Sequence, residues 1–419
     1  MTKLLGKEAI GKITGVSQLN FSPDVRVGMY LPKQVVVNDL TLREGRQIEG
    51  ISLTVDECVR IAQELQDLGV PMIQIANWSE EDRPLLKALG KLGLKMRTEC
   101  MTAAHQTPPF TREALKQATN RALDNNLGVV PCLALSNDIL LAMGKARGQG
   151  DKSLEYLKKQ EIDIAVEIVS YVKSQGGMID VNLQDFLRCD WDHAQNFCQA
   201  LVDAKVDVII LDDISGPAMP AAYKYGVHKV KQMVPEATLG IHVHNDFGLA
   251  LPAVLAAFEG GCEVLTCGIN GYGERAGHAD LSSVVACLEF LYGYDTSVHT
   301  EKLVDAATLI SDIMGKPIPK ATPIVGAHAF SHIYDWHWEF SDFPWAVASL
   351  APEAVGNVTK VILGEGSGPY GIQFKGKELG IDIPVEKVGA IRKVMAERMK
   401  WSKRAPTDDE FRRIVKNII

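Results

Sequence analysis

Ile241-His242-Val243-His244-Asn245-Asp246-Phe247-Gly248 begins as a strand and ends as the opening of a helix. Two residues apart on a strand, His242 and His244 project their imidazoles to one face. Neutral imidazoles fill a core poorly, so such a pair requires a metal ion or two separate hydrogen-bond partners. The unit around it recurs. A short β-branched run, a polar turn and a segment of helical periodicity repeat eight times along the chain. Strands are predicted at 35–39, 72–76, 95–100, 127–136, 178–186, 206–214, 239–245 and 263–269. Helices are predicted near 55–69, 81–92, 111–125, 152–175, 190–204, 219–233, 247–260 and 280–292. Most of these strands are near-continuous hydrophobic runs, as in a parallel sheet buried on both faces. The fold class is α/β, a closed (β/α)8 barrel, with an open doubly wound sheet as the weaker alternative.

The 419 residues carry a net charge of −8 with no basic run, which argues against a nucleic-acid partner. No uncharged apolar stretch is long enough to span a bilayer. The first residues lack the apolar core and cleavage site of a signal peptide, so a cytoplasmic location is expected. The eight cysteines form no Cys-x-x-Cys pair and read as reduced core thiols. Residues 1–34 are weakly patterned and form an N-terminal arm, and residues 35–295 form the barrel. Near 296 the rhythm stops. A helix over 300–314 leads to a stiff linker holding Pro317, Pro319 and Pro323. An aromatic and histidine-rich patch, His328 to Trp345, precedes two charged amphipathic helices, so 296–419 is expected to be mostly helical.

In a (β/α)8 barrel the active site lies at the C-terminal ends of the strands. Strand 1 ends in Asp39-Leu40-Thr41-Leu42-Arg43-Glu44-Gly45, strand 6 in Asp212-Asp213-Ile214-Ser215-Gly216, and strand 8 runs into Gly271-Tyr272-Gly273-Glu274-Arg275-Ala276-Gly277-His278. Strands 7, 8 and 1 are consecutive around a closed barrel, so Glu44, His242 and His244 can converge on one ion. A two-histidine, one-carboxylate set with open positions suits Zn, Mn, Co or Mg. A substrate with adjacent carbonyl and carboxylate oxygens would chelate there and be polarised. Arg43 would stabilise a developing enolate or alkoxide. The plainer alternative is an ion pair from Arg43 to Asp213 or Glu44. Asp212 and Asp213 read either as a proton-transfer pair or, for one of them, as a solvated turn. His105, His193, His228 and His299 read as structural.

Together the strand-1 stretch, His242-Val243-His244-Asn245-Asp246 and the Gly-rich stretch after strand 8 resemble the DRE-TIM metallolyase superfamily. Within it, the chain is similar to the isopropylmalate, homocitrate and citramalate synthases over roughly residues 35–415. The tail stretches Pro352–Gly356 and Leu363–Gly368 resemble the helical subdomains that follow the barrel in those synthases. The chain stops before the regulatory domain that many isopropylmalate synthases carry.

The resemblance implies a homodimeric acyltransferase of amino-acid biosynthesis, condensing acetyl-CoA or a related acyl-CoA with a 2-oxo acid. The alternative is a carbon–carbon lyase of the hydroxymethylglutaryl-CoA lyase type. That family's loop cysteine has no counterpart between residues 268 and 286. The resemblance also implies roles for individual residues. With Arg43 and Asp213 taken as catalytic on the grounds above, His337 is the base or proton relay unless it is merely part of the aromatic patch. His278, where the family has asparagine, is a further ligand or a hydrogen-bond partner. Gln74 and Gln184 stand at family glutamates and, with Arg188 and with Ser215 beside Ile214, line the substrate site. Gly366 replaces a family histidine. These departures predict conserved metal and enolate machinery around a rewritten acceptor pocket.

Overall fold

The computed structural model describes residues 15–102, 111–339 and 346–419; His105 and Trp345 lie outside them. The described chain divides into two compact units, residues 20–300 with 305–317, and residues 318–419 with 301–304 and 15–19. The helix Leu303–Met314 therefore contributes most of its length to the first unit.

The first unit is a closed eight-stranded parallel barrel in sequential order. Its strands are β1 (Val36–Asp39), β2 (Met72–Ala76), β3 (Arg97–Thr102), β4 (Gly128–Ala134), β5 (Asp180–Gln184), β6 (Val208–Asp212), β7 (Leu239–His242) and β8 (Val264–Cys267). Closure comes from β1 pairing with β8, Asn38 opposite Thr266 and Asp39 opposite Cys267. Helices join successive strands, as the periodicity predicts. One more than predicted occurs, Asn137–Ala146, where Ser136 ends its strand run by capping the helix through the Ile139 amide. The open-sheet alternative is excluded.

Side chains inside the barrel form layers. At the N-terminal end Arg97 bridges the buried carboxylates of Glu99 and Asp180. Gly128 leaves room there, because a Cβ on it would lie 3.2 Å from Glu99 Cγ. Inside the barrel Met72, Val130, Val208, Ile210 and Val264 also pack together with Val36. The C-terminal mouth is polar and is described below. All eight cysteines are free, and six are buried. No helix among the described residues is long and apolar enough to cross a membrane.

The second unit has its own core, including Leu363, Ile372, Ile391, Met395, Phe411 and Ile414. It is built mainly from the helices Pro369–Glu378, Val385–Ser402 and Asp408–Lys416, with one short parallel pair, β9 (Ser331–His332) and β10 (Lys360–Val361). The last helix starts on a capping box between Thr407 and Glu410.

One buried histidine sets an acid response. His193, on the helix Trp191–Asp203, packs on Phe197 with ring centroids 5.6 Å apart, and its Nε2 has no partner. Burial, then Lys158, holds its pKa down from 6.5 to about 4. Between those values the unfolded chain takes up a proton that the folded chain refuses. Stability is therefore full above about pH 6.5 and falls toward pH 4 by about 1.4 kcal/mol per unit from this group. Urea midpoints measured from pH 7 to pH 4 should drop less steeply in His193→Phe than in the wild type.

Candidate active site

Glu44, His242 and His244 come together at the C-terminal mouth of the barrel, each buried, with one ligand atom apiece lying within 4.8 Å of the others. The loop after β1 makes this possible. Asp39 accepts from Thr41 N at 2.8 Å, Thr41 Oγ1 at 3.0 Å and Ile269 N at 3.1 Å, tying the turn to the end of β8. Leu40 O then accepts from Arg43 N and Glu44 N, which turns Glu44 inward.

On the other side β7 ends at His242, two residues short of His244. The predicted longer strand is thus corrected. His244 instead forms an isolated antiparallel bridge with His278. The two imidazoles still face one another, Nε2 to Nε2 at 3.3 Å, with ring planes at 82°. Glu44 Oε1 lies 3.6 Å from His242 Nε2. Behind the site Thr266 Oγ1 lies 3.0 Å from His242 Nδ1 and orients that ring.

These residues fit a divalent ion. Two nitrogens each about 2.1 Å from one ion stand roughly 3.0–3.4 Å apart at tetrahedral or octahedral angles. Two neutral imidazoles at that distance share at most one proton, and Glu44 Oε2 is buried without a partner. The electrostatics agree. Burial, then Arg43, holds His242 well below the usual histidine range. Burial holds His244 down to about 4 against the pull of Glu44. Burial pushes Glu44 up, but Arg43, His278 and His244 outweigh it and leave its carboxyl lowered. Neutral imidazoles beside an ionised carboxylate are the protonation states that a metal ion requires.

His278 is buried, its ring 6.1 Å from that of His242, and neither ring nitrogen has a hydrogen-bond partner. It lies outside the 4.8 Å cluster found among the described residues. Glycines make its space. A Cβ on Gly268 would sit 2.7 Å from its Nε2, and one on Gly273 2.9 Å from its Nδ1. The backbone of the Gly-rich loop turns at Gly271 (φ 64°) and Gly277 (φ 82°), where a side chain would be strained. Arg275, which sequence reasoning treated only as part of a motif, fastens the loops. It donates to both Asp246 oxygens, at 2.8 and 3.0 Å, and to Ile214 O at 2.9 Å.

Arg43 is buried and ion-paired to Glu44 at 3.1 Å, the partner that the plainer sequence alternative also named. Asp213 faces away from it. Its carboxylate accepts from Ser215 N at 2.8 Å, from Gly216 N and from the Tyr223 hydroxyl, and thereby holds the turn after β6. Neither Asp212 nor Asp213 is in a solvated turn, since both are buried. Asp213→Ala would strand three donors, two of them on buried residues, and should cost about 3–5 kcal/mol in urea unfolding.

Gln74 is buried inside the barrel on β2, opposite Glu99. Gln184 ends β5 opposite Asp212. Arg188 is half-exposed and paired with Asp185 at 2.7 Å. Ser215 is partly buried on the turn that Asp213 holds.

His337 lies in the second unit, on the short helix Asp335–Glu339. Its ring stacks on His332, with centroids 4.4 Å apart, and lies tilted against Trp336 at 4.5 Å, and its Nδ1 has no hydrogen-bond partner among the described residues.

A (β/α)8 barrel carrying two imidazoles and a carboxylate at its C-terminal mouth is the architecture of an enzyme with a candidate divalent-metal centre. Residues 34–310 match the HMGL-like family, and the chain belongs to that family. It is 31% identical to the "Probable 2-isopropylmalate synthase" of Ignicoccus hospitalis across 93% of each chain. It is 29% identical to a homocitrate synthase of Methanopyrus kandleri across 95% of this chain and 96% of that one. Among solved structures, the HMG-CoA lyase of Bacillus subtilis superposes with a TM-score of 0.57 at 19% identity, covering 70% of this chain and 97% of that one. This last likeness is one of fold. The protein is an enzyme of the HMGL-like family, related to condensing synthases.

Proposed function

We propose that the protein is a divalent-metal-dependent acyltransferase joining acetyl-CoA, or a related acyl-CoA, to a 2-oxo acid by Claisen-type condensation. The observation that carries this reading is the reach of the likeness. Identity to the named synthases runs through 93–96% of their length and so includes the region after the barrel. The lyase structure matches 70% of this chain.

Glu44, His242 and His244 would hold the ion, with His278 as a further ligand or a partner to one. Such an ion, Zn, Mn, Co or Mg, would supply the Lewis acidity that polarises the carbonyl of the oxo acid. A base takes a proton from the acyl methyl, the resulting carbanion forms a bond to the keto carbon, and that carbonyl oxygen gains the electron pair and then a proton. Water then displaces thiolate from the thioester, giving a 2-hydroxy dicarboxylic acid and CoA.

Arg43, fixed by Glu44 and unable to lose its proton, stabilises the developing negative charge on oxygen. His337 is the candidate base or proton relay. Asp213 acts through the turn that it holds, as a positioning residue for Ser215. Gln74, Gln184, Arg188 and Ser215 contact the substrates. The setting implied is a cytoplasmic homodimer in amino-acid biosynthesis.

Free thiol released from acetyl-CoA, measured against a panel of 2-oxo acids with metal present, tests the reading. If no acid releases CoA while a 3-hydroxyacyl-CoA is cleaved, the enzyme is a lyase.

A further inference from the structure

The N-terminal end of the barrel buries more carboxylate than it neutralises. Glu99 on β3 and Asp180 on β5 are fully buried, and one nitrogen, Arg97 Nη2, touches both, Glu99 Oε1 at 2.5 Å. The two carboxyl groups therefore stand side by side, within hydrogen-bonding reach of one another. Glu99 Oε2 and Asp180 Oδ2 nevertheless have no hydrogen-bond partner among the described residues, and Arg97 Nε, also unpaired, is directed at neither. The described groups around the pair do not make up the difference. Gln74 on β2 and Gly128 on β4, which flank Glu99 in register, are neutral. Cys100, next along β3, is neutral too, its thiol pushed well up by burial and then by Glu99. Asp207, just ahead of β6, brings a third carboxylate, but Lys173 holds it through both oxygens at 2.6 Å. Arg97 is left with two carboxylates. With both ionised, one negative charge would be buried without a counter-charge, and facing lone pairs would have no proton between them. Burial, then the charge of Asp180, pushes Glu99 well above the usual carboxylate range, and burial raises Asp180 as well, against the pull of Arg97.

We propose that Glu99 and Asp180 share one proton at neutral pH, and that this O–H···O bond is a pH-sensitive clasp that closes the N-terminal end of the barrel and fails in base. The proton belongs to the pair and to neither residue alone. Its loss to hydroxide leaves two like charges in contact on one guanidinium, which loosens the plug. An unfolded chain gives up the Glu99 proton near pH 4.5, whereas the folded pair keeps it. The stability contributed here is therefore full below that pH, and it falls as pH rises until the folded pair is deprotonated.

Infrared difference spectra of the full chain at neutral pH, wild type minus Glu99→Gln and wild type minus Asp180→Asn, test the proposal. Both substitutions keep the shape of the side chain, and each leaves one carboxylate for Arg97, so the need for a proton disappears. Each difference should show the C=O stretch of a protonated carboxyl, above the amide I band. Asp39 and Asp212, each raised by burial to about 7, contribute equally to wild type and variant and cancel. Urea unfolding supplies a second readout. The unfolding constant of the wild type relative to that of Glu99→Gln should rise about tenfold per pH unit above about pH 5, until the pair is deprotonated. Absence of the protonated-carboxyl band from both difference spectra, or a ratio of unfolding constants that stays flat from about pH 5 to about pH 9, overturns the proposal.

Discussion

Glu44→Gln should leave the protein folded and nearly free of its ion. The substitution keeps the shape of the side chain but removes the one formal negative charge among the three proposed ligands. Metal content after dialysis, measured by elemental analysis, should fall from about one ion per chain to well under a tenth, with CoA release lost in parallel. His242→Ala should do the same. His242 is fully buried, with one ring nitrogen beside Thr266 and the other facing Glu44 and His244, so its loss removes a ligand and leaves both neighbours misplaced. Unchanged metal content in either variant would refute the assigned ligands. Glu44→Gln also removes the buried counter-charge of Arg43, so a drop of a few kcal/mol in unfolding free energy should accompany the metal loss.

Arg43→Ala should behave differently, keeping the ion and losing the reaction. Arg43 is paired to Glu44 at 3.1 Å and is not itself a ligand, so metal content should stay near that of the wild type at neutral pH. The rate constant kcat should fall by about 10²–10³-fold, the usual consequence of removing one group aimed at developing oxyanion charge. Arg43→Lys should recover little of it, because an ammonium keeps the charge but not the planar fork. Arg43 also helps to keep the Glu44 carboxyl lowered and to offset the burial of Asp212. In Arg43→Ala both carboxyls should rise, so the pH at which metal binds should move upward. Wild-type turnover by Arg43→Ala would assign the arginine to structure alone.

Much of this was legible in the chain because a (β/α)8 barrel writes itself as a period. Each strand is buried on both faces and reads as an apolar run, and each helix declares one apolar stripe. Where the reading failed, a local signal was ambiguous. Ser136 looks like the polar end of a strand, yet its hydroxyl caps the helix Asn137–Ala146. The alternation His242-Val243-His244 looks like continuing strand, yet pairing stops at His242 because the chain turns to meet His278. The candidate metal trio was legible through order, since closure brings the ends of strands 7 and 1 to either side of strand 8. Thr266 was not, because a lone threonine in a buried strand carries no signal until its neighbour is known.

The adjacent aspartates illustrate the limit best. Asp212 ends β6 and Asp213 follows it, and the alternation of an extended chain sends their side chains to opposite faces. Which one faced the mouth depended on register. Asp212 aligns with His242, and Asp213 turns back to the amides of Ser215 and Gly216 and to Tyr223.

By itself, then, the sequence determined the barrel, the order of its strands and the residues able to hold an ion, because periodicity and chain order are local properties. The tertiary structure decided which carboxylates are satisfied, which atoms remain unpaired in the mouth, and how a third imidazole fits between two glycines. Those outcomes depend on distances between residues far apart in the chain, and only the closed barrel sets them.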